Sequence, residues 1–137
     1  MSLKKDNFSY IVFVSINNTN GSGILYRIEN NLYLITAKHV LFKIDDTLIG
    51  DNLVITSKNF DENLETATIY EIANLSELQI TFHENQSLDI VAVKIDLENN
   101  IVIHNQIERP FLKAEDVKKY DEAFIFDKIY LAGFPTP

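Results

Sequence analysis

The sequence predicts an all-β fold, and three features of the chain support this class. Apolar residues mostly recur at every second position, which is the period of a half-buried strand. Many of them are β-branched or aromatic, the side-chain types that strands favour. Few 12-residue windows carry the i, i+3, i+4, i+7 stripe of an amphipathic helix. Several short strands separated by turn residues predict an antiparallel barrel or a sandwich.

The first three predicted strands lie close together in the chain. Residues 8–17 form the first and are followed by a turn rich in asparagine. Residues 23–29 and 32–36 form a hairpin around Asn30-Asn31, because asparagine tolerates a positive φ. A short helical turn is predicted next, over residues 38–43.

The later part of the chain continues the same pattern of short strands. Further strands are predicted at residues 52–57, 66–72, 78–82, 90–96 and 124–132. Residues 90–96 are apolar on both faces, which predicts a central strand covered on both sides. A helical turn or a connecting segment is predicted at residues 114–120.

Composition and charge narrow the classes of function. The chain has 137 residues, 46% of them hydrophobic, which predicts one globular domain. Twelve Lys and Arg residues against 20 Asp and Glu residues give a net charge of −8, which repels phosphate backbones and predicts no nucleic-acid partner. No run approaches the ~20 apolar residues of a membrane span, so no membrane partner is predicted.

The absence of cysteine bears on both chemistry and location. It excludes a disulfide framework, a zinc–thiolate site and a thiol nucleophile. The chain also lacks the apolar core of a signal peptide near its N-terminus. Together these features favour a cytoplasmic location, while a periplasmic or secreted parent protein stays open.

Two titratable residues lie where predicted strands meet polar segments. His39 follows an apolar strand, and Asp89 leads into the apolar stretch 90–96. Catalytic side chains often lie on such strand ends, held by the rigid sheet beneath them. A carboxylate at the edge of the core needs polar partners, either backbone N–H groups or an imidazole. Taken singly, each residue is better explained by a structural role.

Metal and cofactor motifs are not found in the sequence. His83-Glu84 does not extend to the His-Glu-x-x-His zinc motif, because Ser87 stands at its fifth position. The acidic pairs that begin at residues 45 and 61 lack the spacing of a calcium-binding EF-hand loop. The sequence therefore predicts no metal and no cofactor.

Four segments, taken in order, resemble motifs of the trypsin-like (chymotrypsin-fold) serine peptidase family. They are Gly21-Ser22-Gly23, Thr36-Ala37-Lys38-His39, Asp89-Ile90-Val91-Ala92 and Gly133-Phe134-Pro135. His39 and Asp89 are 50 positions apart, close to the usual separation in that family. The resemblance runs from about residue 8 to the last residue. Each motif is weak alone, and their order and spacing make the set fairly specific.

The resemblance implies both an architecture and roles for individual residues. Residues 1–110 would form a single antiparallel barrel like the first half of the family's double barrel. Residues 111–137 would be the crossover and the first strand of a second barrel. His39 would be the general base, and Asp89 would orient its ring. Gly21 and Gly23 would let the backbone turn sharply beside the site, or would simply mark a loop-to-strand turn.

One departure from the family decides what this sequence can do by itself. The nucleophile motif Gly-x-Ser-Gly-Gly is absent. The resemblance therefore implies the N-terminal part of a serine endopeptidase that acts on protein or peptide substrates and is inactive alone. The chain lacks an Ile-Val-Gly-Gly start, so the parent would resemble bacterial members of the family. The alternative is a non-catalytic single barrel that serves as a protein-binding module.

An apolar segment near the end of the chain suggests self-association. Residues 123–132 would offer an edge strand with exposed apolar faces, and such edges recruit partners. A homodimer formed through residues 121–137 is therefore predicted.

Overall fold

Nine β-strands form one sheet in the computed structural model, which describes residues 11–58, 67–96, 101–104 and 112–113. The strands are β1 (Ile11–Ile16), β2 (Thr19–Ile28), β3 (Asn31–Thr36), β4 (Leu53–Ser57), β5 (Thr68–Ile72), β6 (Ile80–Phe82), β7 (Val91–Ile95), β8 (Ile101–His104) and β9 (Leu112–Lys113). The helical elements in these ranges are α1 (Lys38–Leu41) and a 3-10 turn (Glu77–Gln79). This architecture confirms the predicted all-β class with short helical turns.

The sheet curls into a barrel-like form because a short connection joins two strands that lie far apart in the strand order. Hydrogen bonding runs in the order β6-β7-β3-β2-β1-β4-β5-β8, with β9 added to β2. In a flat sheet, the six steps from β6 to β5 would separate them by about 29 Å. The seven residues 73–79 that join β5 to β6 include a 3-10 turn and reach no more than about 24 Å. The connection therefore draws β5, the neighbour of the edge strand β8, towards β6, the edge strand at the opposite end of the sheet.

Alternation along the strands places the core on the inner face of this sheet. In β1, Val12, Val14 and Ile16 are fully buried while the residues between them are half-buried. Leu34 of β3 and Val93 of β7 are also fully buried, and they are direct partners across the two strands. The period-2 pattern read from the sequence thus sets which side chains build the core.

Two local predictions differ from the structure. The β2–β3 hairpin turns at Glu29-Asn30, one residue earlier than predicted, and Glu29 has a φ of 55°. Strand β7 does lie inside the sheet, between β3 and β6. However, only one of its faces is buried, because Lys94 is exposed and Ala92 is half-buried. The long apolar stem of Lys94 does not need a covered face.

The prediction for residues 111–137 falls mostly outside the described residues. Leu112–Lys113 pairs in parallel with Tyr26 and Arg27 of β2. The predicted helical turn at 114–120, the strand at 124–132 and the dimer segment 121–137 all lie outside the described residues. The homodimer therefore stays a prediction. Among the described residues, none of the helices has the length and apolar character that crossing a membrane would require.

Candidate active site

His39 lies on a one-turn helix that follows β3 directly. Helix α1 spans Lys38–Leu41, and its last two residues, Val40 and Leu41, are buried in the core. The backbone N–H of Phe42 donates to the carbonyl of Lys38 at 3.0 Å, which closes the turn. The side chain of His39 points outward and is 74% exposed. Burial of Val40 and Leu41, the two residues after His39, therefore fixes the backbone of His39 while its ring stays exposed to solvent.

Gly21 and Gly23 have a different role from the one predicted. Both lie within β2 and neither has a positive φ, so they do not make a sharp turn. A Cβ on Gly21 would lie 2.6 Å from Cγ2 of Val40, in α1. A Cβ on Gly23 would lie 2.5 Å from Cδ1 of Leu34. These positions need glycine for space, because α1 and β3 pack closely against β2.

Asp89 lies at the end of the loop that joins β6 to β7. Asn85 shapes this loop, since its side-chain oxygen accepts two hydrogen bonds from Ser87. The backbone N–H of Ser87 donates one at 3.1 Å, and the hydroxyl of Ser87 donates the other at 2.6 Å. The backbone N–H of Leu88 donates to the carbonyl of Asn85 at 3.0 Å. Such local bonds define the approach of the chain to Asp89.

The pairing of β3 with β7 brings His39 and Asp89 to the same end of the sheet. The two strands are antiparallel, and Thr36 is paired with Val91. Residues that follow Thr36 and residues that precede Val91 therefore emerge at one end. His39 and Asp89 are three and two positions beyond that pair, respectively. A separation of 50 residues in the sequence is thus closed by the strand register.

Both carboxylate oxygens of Asp89 contact His39. One oxygen, Oδ2, is hydrogen-bonded to Nδ1 of the imidazole. The other, Oδ1, accepts a hydrogen bond from the backbone N–H of His39 at 2.9 Å. The structure therefore contains the predicted contact between the two side chains, while their catalytic role stays a prediction. The two bonds together fix the direction of the carboxylate relative to the ring.

The contact with His39 holds the pKa of Asp89 below its ordinary value of 3.8. The main cause is the side-chain hydrogen bond from His39, which stabilises the ionised carboxylate, and burial opposes it. The side chain of Asp89 is 53% exposed, so solvent screens the interaction. Its contribution to stability is therefore at the scale of an exposed ion pair, about 0.2–1 kcal/mol.

This lowered pKa predicts a loss of stability in acid. The unfolded chain takes up a proton at Asp89 more readily than the folded chain, so the contribution is present above about pH 4 and disappears as pH falls through the folded pKa. The difference in urea unfolding between the unsubstituted chain and Asp89→Asn should therefore be larger at pH 5 than in acid, and it should shrink progressively as the pH falls below 3.8. A difference that stays constant over this range would contradict the assignment.

The other two histidines lie in separate contacts. Nε2 of His104 is 3.3 Å from Oε2 of Glu71, in a contact that joins β8 to β5. Nδ1 of His83 accepts a hydrogen bond from the backbone N–H of Asn85 at 2.9 Å. Within the described ranges, no serine is hydrogen-bonded to His39, and no group of three or more His, Asp or Glu residues is placed to hold a metal ion.

Comparisons with known proteins leave the family open. No protein-family model and no solved structure matches the chain. The chain is 34% identical over 84 residues to a peptidyl-tRNA hydrolase of Sulfurovum sp. (strain NBC37-1). That match covers 58% of this chain and 43% of the relative, so the chain spans less than half of the relative's length.

Proposed function

We propose that the chain is the N-terminal barrel of a trypsin-like serine endopeptidase, in which His39 is the general base and Asp89 orients it. The observation that carries this proposal is the hydrogen bond between Nδ1 of His39 and the carboxylate of Asp89 at an exposed end of the sheet. Such a pairing leaves the other ring nitrogen available for proton transfer.

The geometry of the pair suits a general base. An ionised carboxylate accepts hydrogen bonds only, so Nδ1 carries a proton, and in the neutral imidazole Nε2 then keeps its lone pair. Nε2 forms no hydrogen bond with the described part of the chain, and the ring is 74% exposed. A serine hydroxyl brought to this nitrogen could give up its proton there. Asp89 would stabilise the imidazolium that forms.

The proposal assigns the remaining catalytic groups to a region outside this sequence. Nucleophilic catalysis needs a serine beside the base and donors for the developing oxyanion. The Gly-x-Ser-Gly-Gly motif that supplies both in the family is absent here. The pair by itself therefore cannot form an acyl-enzyme.

A fluorophosphonate probe tests this division of labour. This chain should remain unlabelled, because no serine of the described part is bonded to His39. A longer product of the same reading frame that includes Gly-x-Ser-Gly-Gly should be labelled at that serine, and His39→Ala should abolish the labelling. Stoichiometric labelling of a serine within this chain would contradict the proposal, as would a longer product that carries the motif and stays unlabelled.

One observation favours the alternative, a non-catalytic binding module. The side chain of Ala37 cannot cap α1, and Oδ1 of Asp89 instead accepts the N–H of His39. A carboxylate in this position stabilises the turn without any catalysis. The DNA sequence downstream of this chain distinguishes the two functions. A peptidase requires that it encodes Gly-x-Ser-Gly-Gly in the same reading frame, and a binding module does not.

The net charge of this chain does not suit the substrate class named for the Sulfurovum relative, a peptidyl-tRNA. The net charge of −8 would repel the phosphate backbone of a tRNA. Less than half of that relative is covered by the match.

A further inference from the structure

Lys38, the residue directly before His39, has an unusual environment for a lysine. Its side chain is only 24% exposed, although it belongs to a surface turn. Nζ lies 3.0 Å from Oδ1 of Asp46 and 5.5 Å from the centroid of the Phe82 ring. The ammonium group thus has two partners, one anionic and one aromatic.

These two partners belong to two different segments of the chain. Asp46 lies in the turn that follows the helix, and this turn is closed by the bond from the backbone N–H of Lys43 to the carbonyl of Thr47 at 2.8 Å. Phe82 is the last residue of β6, and the loop that begins after it carries Asp89. Lys38 therefore links the segment that bears His39 to the segment that bears Asp89.

Phe82 contacts α1 at its other end as well. Its ring centroid is 5.2 Å from that of Phe42, the residue that directly follows the helix, with the rings tilted by 51°. Lys38, the first residue of the four-residue turn, and Phe42, the residue after its last, thus contact the same aromatic side chain. A single turn is marginal in isolation, so contacts of this kind decide its orientation.

We infer that Lys38 is a positioning residue for the His39–Asp89 pair, acting through Phe82 and Asp46. The inference rests on the proposed function of that pair. Asp46 is 72% exposed, so its ion pair with Lys38 contributes little alone. The contact with Phe82 and the burial of the lysine stem supply the directional part of the interaction. The sequence showed Lys38 only as the variable position of the Thr-Ala-x-His segment.

NMR on this chain tests the inference through the pair itself. Lys38→Met keeps the apolar stem and removes the charge. The downfield-shifted NMR resonance of the hydrogen-bonded proton on Nδ1 of His39 should then disappear. The pKa of Asp89, measured by NMR titration, should rise towards the ordinary value of an aspartate. Lys38→Arg should preserve both signals, since a guanidinium also binds an aromatic face and a carboxylate. Lys94→Met is the matched control, because Lys94 is exposed on β7 and the change in charge is the same.

Each outcome of this experiment bears on the inference. A Lys38→Met protein that keeps both the His39 resonance and the Asp89 midpoint would overturn it. If Lys38→Met does not fold, Phe82→Leu removes the ring while keeping apolar volume. A folded Phe82→Leu protein must then lose the same signals, and retention of them would also overturn the inference. Because these signals are equilibrium properties of this chain, they can respond as expected even if the longer product proves to have no peptidase activity.

Discussion

Asp89→Asn is expected to lower the kcat of a longer, serine-containing product about 10⁴-fold. The reason lies in the two hydrogen bonds of the carboxylate. Oδ1 of Asp89 accepts the backbone N–H of His39 at 2.9 Å, and this donor remains in the variant. The amide oxygen of the variant would therefore face that N–H and its NH₂ group would face Nδ1. Nδ1 would have to accept a hydrogen bond, the ring proton would move to Nε2, and the base would be lost.

This change of tautomer can be measured in two independent ways. Peptide hydrolysis by the longer product gives the effect on kcat. The ¹⁵N chemical shifts of His39 should show the ring proton on Nδ1 in the unsubstituted chain and on Nε2 in the Asp89→Asn variant of the same chain. If the variant keeps its proton on Nδ1, the orienting role of Asp89 is wrong.

A second histidine–carboxylate contact in the chain supplies the matched control. Oε2 of Glu71 is 3.3 Å from Nε2 of His104, across β5 and β8. Glu71→Gln makes the same change in charge and chemistry as Asp89→Asn. It should leave kcat and the His39 tautomer unchanged, since neither residue contacts His39.

The strands of this chain are readable in its sequence because each one obeys a local rule. Val12, Val14 and Ile16 alternate with less buried residues, so the period alone gives both the strand and its inner face. The exact turn of the β2–β3 hairpin is harder to predict from the sequence. The prediction places Asn30 and Asn31 in the turn, whereas the structure has Glu29 and Asn30 there. Tertiary register selected one turn over its neighbour.

The candidate site could be predicted only in part from the sequence, because it too depends on how the strands are aligned with each other. The positions of His39 and Asp89 at strand ends could be inferred, whereas their contact depends on the register of β3 with β7. The packing role of Gly21 could not be inferred, since its neighbour Val40 is distant in the sequence and becomes adjacent only in the folded sheet. A sequence motif shows that glycine occurs at a position, but it does not show which neighbouring atom leaves no space for a larger side chain.

Gly21→Ala is expected to destabilise the fold by about 1–3 kcal/mol, the usual cost of overpacking a core. The new Cβ would lie 2.6 Å from Cγ2 and 3.3 Å from Cγ1 of Val40. Valine is stiff about χ1, and Val40 is only 2% exposed, so its side chain has little freedom to rotate away. The clash would instead push α1, and His39 with it, away from β2. Urea unfolding at pH 7 measures the loss of stability.

Removing the opposing methyl groups should relieve this clash. Val40→Ala alone opens a cavity and also costs stability. The double variant Gly21→Ala/Val40→Ala should lose less than the sum of the two single losses, by about 0.5–3 kcal/mol, because the two changes compensate each other in volume. Gly50→Ala is the control, since the nearest atom to its new Cβ is Cβ of Asn17 at 3.4 Å, an ordinary contact. Its effect should stay within about 0.5 kcal/mol. If the effects at positions 21 and 40 were strictly additive, the close packing of α1 on β2 could not be the reason for glycine at position 21.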